Sequence, residues 1–381
     1  MTVDGGLLLL RTLERDCRTE TAVLIDAWRR VPDRPMRLLV RRERSALWLE
    51  RRARILGLEG ALPGPFHRWL GSEVRAGTAR NLLIESRAWE MAQWLHRLGV
   101  PFVFIKGSAR GLLGDVYPGI DARVTTDVDI LLRLPDARMF WDEMRKAGYE
   151  FAIDPAHLPS SHFHLMPLST KDGVPVELHV STAPGLAPEE AWRRATAGTT
   201  VLDSHGMRLS VPSATELLWL AIAHAEIDSA GGYDLKHFQD AAVLVGSRDV
   251  DWATIAKRLD DPEETRERAR MESWLGAAAS LAGCRLASLH RSANSPFDLS
   301  LALSWRFAVC RHAADHPRLV ERLFDEGTRA AAGLPMARWV EGTACHGIAQ
   351  RRIATLLARG MYATWRAARR DPEHRKAGGD L

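Results

Sequence analysis

The chain has 381 residues, and its 52 Lys plus Arg against 48 Asp plus Glu give a formal net charge of +4. A hydrophobic content of 46% with 26% charged residues is that of an ordinary folded protein of two or three domains, which excludes a fibrous or disordered chain. Every apolar run falls short of the roughly 18–20 residues a bilayer span needs, residues 6–10 are too short and lack the basic start of a leader, and the four cysteines form no Cys-x-x-Cys pair. A reduced, cytoplasmic protein without structural zinc is therefore expected.

Residues 1–99 read as a helical region. It is Arg-rich, with 18 Arg against 12 acids in the first 100 residues, but the interspersed acids make these solvated faces rather than a nucleic-acid surface. Residues 81–98 place Leu82, Leu83, Trp89, Met91, Trp94 and Leu95 at helical spacing, and Gly99 stops the helix.

Residues 100–211 read as the sheet domain. Residues 100–105 are a short apolar strand, followed by Lys106-Gly107-Ser108 and a helix over 109–113. A strand that turns through glycine into a helix start offers free backbone N–H groups to an anion; Lys106 adds charge, and Ser108 either caps the helix or bonds a phosphate oxygen. This is not a P-loop, because Lys106 precedes the glycine and the GxxxxGK[ST] spacing is missing. Tyr117-Pro118-Gly119 is a turn. Arg123 either clamps a triphosphate through two guanidinium hydrogen bonds or pairs with Asp115 or Asp121.

Asp127-Val128-Asp129 opens the apolar run that ends at Leu132. In a strand, residues i and i+2 share a face, so the two carboxylates project together while Val128 turns into the core. Their repulsion and desolvation are relieved by a divalent metal, and oxygen ligands on one edge suit Mg2+, with Mn2+ as the alternative. A helix is expected near 137–146, and strands at 163–166, 174–180 and 207–209. In the second of these strands Glu177 and His179 share one face. If it lies beside the strand of Asp129, Asp127, Asp129 and Glu177 can hold two metals, with Glu177 as third ligand and general base toward an acceptor hydroxyl. His179 is either a packed residue or a substrate contact. His162 and His164 also share a face, either at an edge in water or toward an acceptor; with a carboxylate they also raise a transition metal.

Residues 212–370 read as helical, with one helix that starts at Pro212 and continues over 217–224 and further helices over 233–245, 252–259, 265–282, 299–314 and 348–369; 371–381 is a fraying tail. His224 with Asp228, and Lys236 with Asp240, stand at i, i+4 spacing, the geometry of an intrahelical pair. Most of the 13 tryptophans fall among aliphatics and are core by default.

Lys106-Gly107-Ser108, Tyr117-Pro118, Arg123, Asp127-Val128-Asp129-Ile130 and Glu177-Leu178-His179, in this order, resemble the nucleotidyltransferase-like proteins of the DNA polymerase beta superfamily, and more narrowly the bacterial uncharacterised nucleotidyltransferase family. The resemblance covers roughly residues 80–250. It implies an α+β fold, a polymerase-beta-type mixed sheet flanked by N-terminal and C-terminal helical regions. It also implies Mg2+ at the acidic cluster and transfer of a nucleoside monophosphate from a nucleoside triphosphate. On that pattern Lys106, Gly107, Ser108 and Arg123 hold phosphates, the helices after the sheet bring His224, Lys236 or Asp240 toward base, ribose or acceptor, and His179 on its strand is a candidate substrate contact. The acceptor expected is a small molecule, a sugar or a modified peptide, since no nucleic-acid-binding module is recognisable. The alternatives are a regulatory protein that binds nucleotide without turnover, and transfer of a phosphoryl or glycosyl group on the same scaffold.

Overall fold

The computed structural model describes residues 3–15, 19–112, 123–152, 163–170, 172–183, 185–204, 207–228, 235–247, 249–261, 268–284 and 299–313. Asp115, the Tyr117-Pro118-Gly119 turn, Asp121, His162, the predicted helix at 348–369 and the tail lie outside these residues.

The N-terminal part forms α1 (Gly5–Leu13), α2 (Thr21–Arg30), α3 (Asp33–Arg42), α4 (Ala46–Ile55), a 3-10 turn over Glu59–Ala61, and α5 (Gly64–Leu98). Asp4 caps α1, its Oδ1 accepting from the N–H groups of Gly6 at 2.9 Å and Leu7 at 3.1 Å. At 35 residues α5 is about 52 Å long. It ends at Gly99, whose φ of +66° is the left-handed C-terminal stop glycine adopts without strain.

Two sheets follow. β1 (Val103–Phe104), β2 (Val128–Leu131), β3 (Glu150–Phe151), β4 (Leu168–Ser169) and β5 (Val176–His179) form a five-stranded mixed sheet in the order β1-β2-β5-β4-β3. β2 and β5 run parallel, and the other pairings are antiparallel. A parallel pair needs a long crossover, which here carries α7 (Leu134–Lys146) together with β3 and β4. β6 (Thr200–Ser204) and β7 (Met207–Val211) make a separate hairpin, and α6 (Lys106–Leu112) and α8 (Pro188–Thr196) complete this part.

The expected strand over 163–166 is not formed. His164 makes a single antiparallel bridge to His179, and the neighbouring backbone bonds are Leu165 N–H to Leu178 O at 2.9 Å and Val180 N–H to Phe163 O at 3.0 Å. The segment does run along β5, but too briefly for a ladder.

The helical part holds α9 (Ala214–Asp228), α10 (Leu235–Val245), α11 (Trp252–Asp260), α12 (Arg268–Ala282) and α13 (Leu299–Ala313). Among the described residues no helix is long and apolar enough to cross a membrane. Around β1 and β2 the sheet is buried on both faces, while the edge strand β3 is exposed. Val128, Ile130, Val176, Leu178 and Phe104 enter the main core, while Val103, Ile105 and Leu131 meet Leu220 of α9 and Ala195 of α8 on the other face.

α13 returns to the N-terminal helices. A Cβ added at Gly6 would stand 2.2 Å from the backbone of Leu303, so α1 and α13 touch backbone to backbone. Beside them Arg306 donates to Glu43 with both side chains buried. The Glu43 charge and, above all, burial push the Cys310 thiol up to about 12. Gly6→Ala is expected to cost about 3 kcal/mol, the upper end of overpacking penalties. Gly60→Ala, with open space around its Cβ position, should stay within about 0.5 kcal/mol. Denaturant melts of the two variants check this, and equal midpoints would contradict the close packing.

Candidate active site

The parallel register sets Asp129 directly beside Glu177 and Leu131 beside His179. Period-two alternation therefore puts two carboxylates and one imidazole on the same sheet face, opposite the main core. Asp127 lies two residues before Asp129, at the entry to β2. The backbone of Asp129 is held on both sides: its N–H donates to Ser108 Oγ at 2.9 Å, and its carbonyl accepts from Ile105 N–H at 3.2 Å. The Ser108 hydroxyl thus fixes the strand that carries the acid.

Lys106 points its ammonium into this cluster. Nζ stands 3.0 Å from Asp129 Oδ1, 3.9 Å from Glu177 Oε2 and 3.4 Å from His179 Nε2, and 5.6 Å from the Phe163 ring centre. Its backbone φ is +49°, a left-handed conformation that costs a non-glycine residue about 1 kcal/mol or more. Gly107 follows because no Cβ fits: it would lie 2.9 Å from Thr125 Cγ2 and 3.2 Å from Arg123 Nη1.

The charges respond to one another. Burial works against the charged form of Lys106, yet Asp129, Glu177 and Asp127 together raise its pKa. Burial likewise works against ionised Asp129, but the Lys106 charge and the His179 hydrogen bond hold its carboxyl well below the usual range. Glu177 is also held low, against burial, chiefly by the His179 hydrogen bond. Asp127 goes the other way: burial, then the Asp129 and Glu177 charges, push it up to about 6, with Lys106 and Lys236 opposing.

His179 Nε2 is 2.9 Å from Asp129 Oδ1 and 3.3 Å from Glu177 Oε2. Asp129, Glu177 and His179 each offer an atom within 4.8 Å of the others, a set able to hold a metal ion. His164 Nδ1–H donates to Leu165 O at 2.8 Å, and its Nε2 lies 3.9 Å from Glu177 Oε2.

Arg123 is paired with Asp240 of α10 at 2.9 Å, and that carboxylate is fully buried. The guanidinium also donates to Val124 O at 3.2 Å. Lys236, on the same helix, stands near enough to Asp127 to oppose its shift. His224 of α9 stacks on His237 with ring centres 5.9 Å apart and meets Phe163 edge-on at 5.7 Å; burial first, then the Lys106 charge, lower its pKa well below the ordinary histidine value. Phe163 and His237 carried no signal in the sequence beyond adjacency to His164 and Lys236, yet Phe163 lies against Lys106, His179 and His224 together.

The family description "Uncharacterised nucleotidyltransferase" matches residues 37–267. The chain belongs to the uncharacterised nucleotidyltransferase family. The match spans helices α4 to α11 and both sheets, so it contains every residue of the acidic cluster. Among solved structures, an antigenic nucleotidyltransferase-like protein from Paracoccidioides brasiliensis is 16% identical, covering 52% of this chain and 92% of its own, with a TM-score of 0.29. No curated protein matches the chain. For a member of this nucleotidyltransferase family, the sequence-derived residues Lys106, Gly107, Ser108, Asp127, Asp129, Glu177 and His179 gather at one sheet face, and Arg123, His224, Lys236 and Asp240 line the helices and loop beside it.

Proposed function

We propose that the protein is a divalent-metal-dependent nucleotidyltransferase that moves a nucleoside monophosphate from a nucleoside triphosphate to a hydroxyl or phosphate of a small molecule, sugar or modified peptide. The observation that carries this reading is the placement of Asp129 and Glu177 on facing positions of adjacent parallel strands, with Asp127 two residues upstream. Family membership supports the choice of chemistry.

The donor set fits a hard divalent ion, Mg2+ or Mn2+, held by Asp127, Asp129 and Glu177. When bound, such ions neutralise the triphosphate and stabilise the departing pyrophosphate. His179 fits a different part. A metal-bound histidine almost always donates its second ring N–H to a partner, and among the described residues His179 Nδ1 meets none. With its proton on Nε2, His179 instead donates to Asp129 Oδ1 and holds that carboxylate ionised and oriented.

Lys106 brings the positive charge that phosphate oxygens require, at the start of α6. Glu177, beside Asp129 on the adjacent strand, is the general base toward an acceptor hydroxyl. His224 remains neutral and, with Phe163 and Lys236, forms the wall toward base or acceptor.

The test incubates the protein with each of the four nucleoside triphosphates, Mg2+ or Mn2+, and candidate acceptors, and reads pyrophosphate release and product mass. A product heavier by a nucleoside monophosphate, lost in Asp129→Ala, is the expected result. Release unchanged in Asp129→Ala overturns the assignment, and a gain of phosphate alone points to phosphoryl transfer instead.

A further inference from the structure

We propose that Arg80 and Asn81 of α5 are positioning residues for the acidic cluster, a role that rests on the nucleotidyltransferase reading. Residues 123–126, which lead into Asp127, belong to no strand. They are half-buried beside the sheet, and backbone groups withdrawn from water without a ladder take their partners from side chains. α5 supplies those partners.

Asn81 is buried, and its amide behaves like a rung of sheet. Nδ2–H donates to Arg123 O at 2.7 Å while Oδ1 accepts from Thr125 N–H at 2.8 Å. Arg80 reaches the next residue along: Nη2 donates to Thr126 O at 3.0 Å and to Gly173 O at 3.1 Å. Gly173 lies in the approach to β5, so one guanidinium ties together the two segments that deliver Asp127 and Glu177. One turn earlier, Gly77 leaves room for the loop, since a Cβ there would sit 3.3 Å from Val124 Cγ2. Positions 77, 80, 81 and 84 fall on one helix face, so the clamp is a property of α5 rather than of the loop.

The clamp grips backbone on either side of the entry to β2, and not the carboxylates themselves. Its loss leaves the acids present but displaced, and a displacement of about 1 Å in a reacting geometry costs on the order of 10²-fold in rate. The clamp does not touch Lys106, the cation assigned to the phosphates, so nucleotide binding should suffer less than turnover.

The experiment measures Mn2+ affinity by electron paramagnetic resonance, and kcat and KM for nucleoside triphosphate by pyrophosphate release, on Asn81→Ala, Arg80→Ala and Arg80→Lys beside wild type and Asp129→Ala. Asn81→Ala and Arg80→Ala should bind Mn2+ about tenfold more weakly and lose on the order of 10- to 100-fold in kcat, with KM within about threefold; Arg80→Lys should recover part of both. Mn2+ affinity and kcat equal to wild type in the folded variants overturn the proposal, whatever happens to their melting temperature. If Asn81→Ala does not fold, Arg80→Ala, on a half-buried side chain, decides alone. A wild type that neither binds Mn2+ nor releases pyrophosphate removes the nucleotidyltransferase reading and this role with it; an active wild type with unaffected variants removes this role only.

Discussion

Asp127→Asn is expected to raise the melting temperature of the metal-free protein, and Asp129→Asn to lower it, although both abolish transfer. The two carboxylates are two residues apart, but their environments have opposite sign. Asp127 is pushed up to about 6 from 3.8, so the fold prefers it protonated. Between those values the native state binds more protons than the unfolded chain, and stability falls as pH rises. The cost is therefore fully present above about 6 and gone below about 3.8. Asparagine removes the charge and keeps the shape, for a gain of about 2 °C or more at pH 7.

Asp129 is depressed, so its contribution is present above the ordinary carboxylate value and lost only as pH falls through the lower folded one. Asparagine there breaks the pair with Lys106 inside the protein, at about 3 kcal/mol, the lower end for a buried pair that loses one partner because Glu177 remains nearby. Thermal melts in chelator at pH 7, with pyrophosphate release in parallel, check both arms. Shifts of the same sign would contradict the charge arrangement.

Lys106→Met should make the fold depend on added metal. The ammonium is the cation the three carboxylates share, and removing it leaves converging negative charge in a buried place. The metal-free variant is expected to lose about 3 kcal/mol. A bound ion then stabilises by mass action, worth about 2.7 kcal/mol at 100 times Kd. Titration with Mn2+ should therefore raise the melting temperature of Lys106→Met by more than that of the wild type, where the ion must displace the lysine. Equal rises in the two proteins would show that the ammonium and the ion do not compete. On the proposed nucleotidyltransferase reading transfer should fall as well, because Lys106 is the charge assigned to the triphosphate.

The acidic centre was legible because carboxylates at period two inside apolar runs are costly to bury unless a cation meets them. Asp127, Asp129 and Glu177 could be read as converging before any pairing was known, and the parallel register of β2 and β5 then brings Asp129 and Glu177 side by side. What joins distant parts was not legible. The pairing of Arg123 with Asp240 spans the whole second half of the sheet domain, whereas the sequence offered only nearby partners or a phosphate. The insertion of Lys106 among the acids depends on a left-handed backbone that no pattern announces. The first half of α5 was hidden by Gly71 and Gly77, poor helix formers that here accompany close packing at Gly77. The strands β3 and β4 escaped because two residues hold no alternation to count, and the hairpin arm β6 because its apolar residues Val201 and Leu202 are adjacent instead of alternating.

One consequence concerns any attempt to make a smaller version of this chain. α5 begins among the N-terminal helices and reaches the loop before Asp127 with a single unbroken rod. A truncated chain starting at residue 100 would keep all three acids and lose the brace that aims them. The shortest portable version must begin at or before Gly64, and it will carry part of the arginine-rich front whether or not that surface has a job of its own.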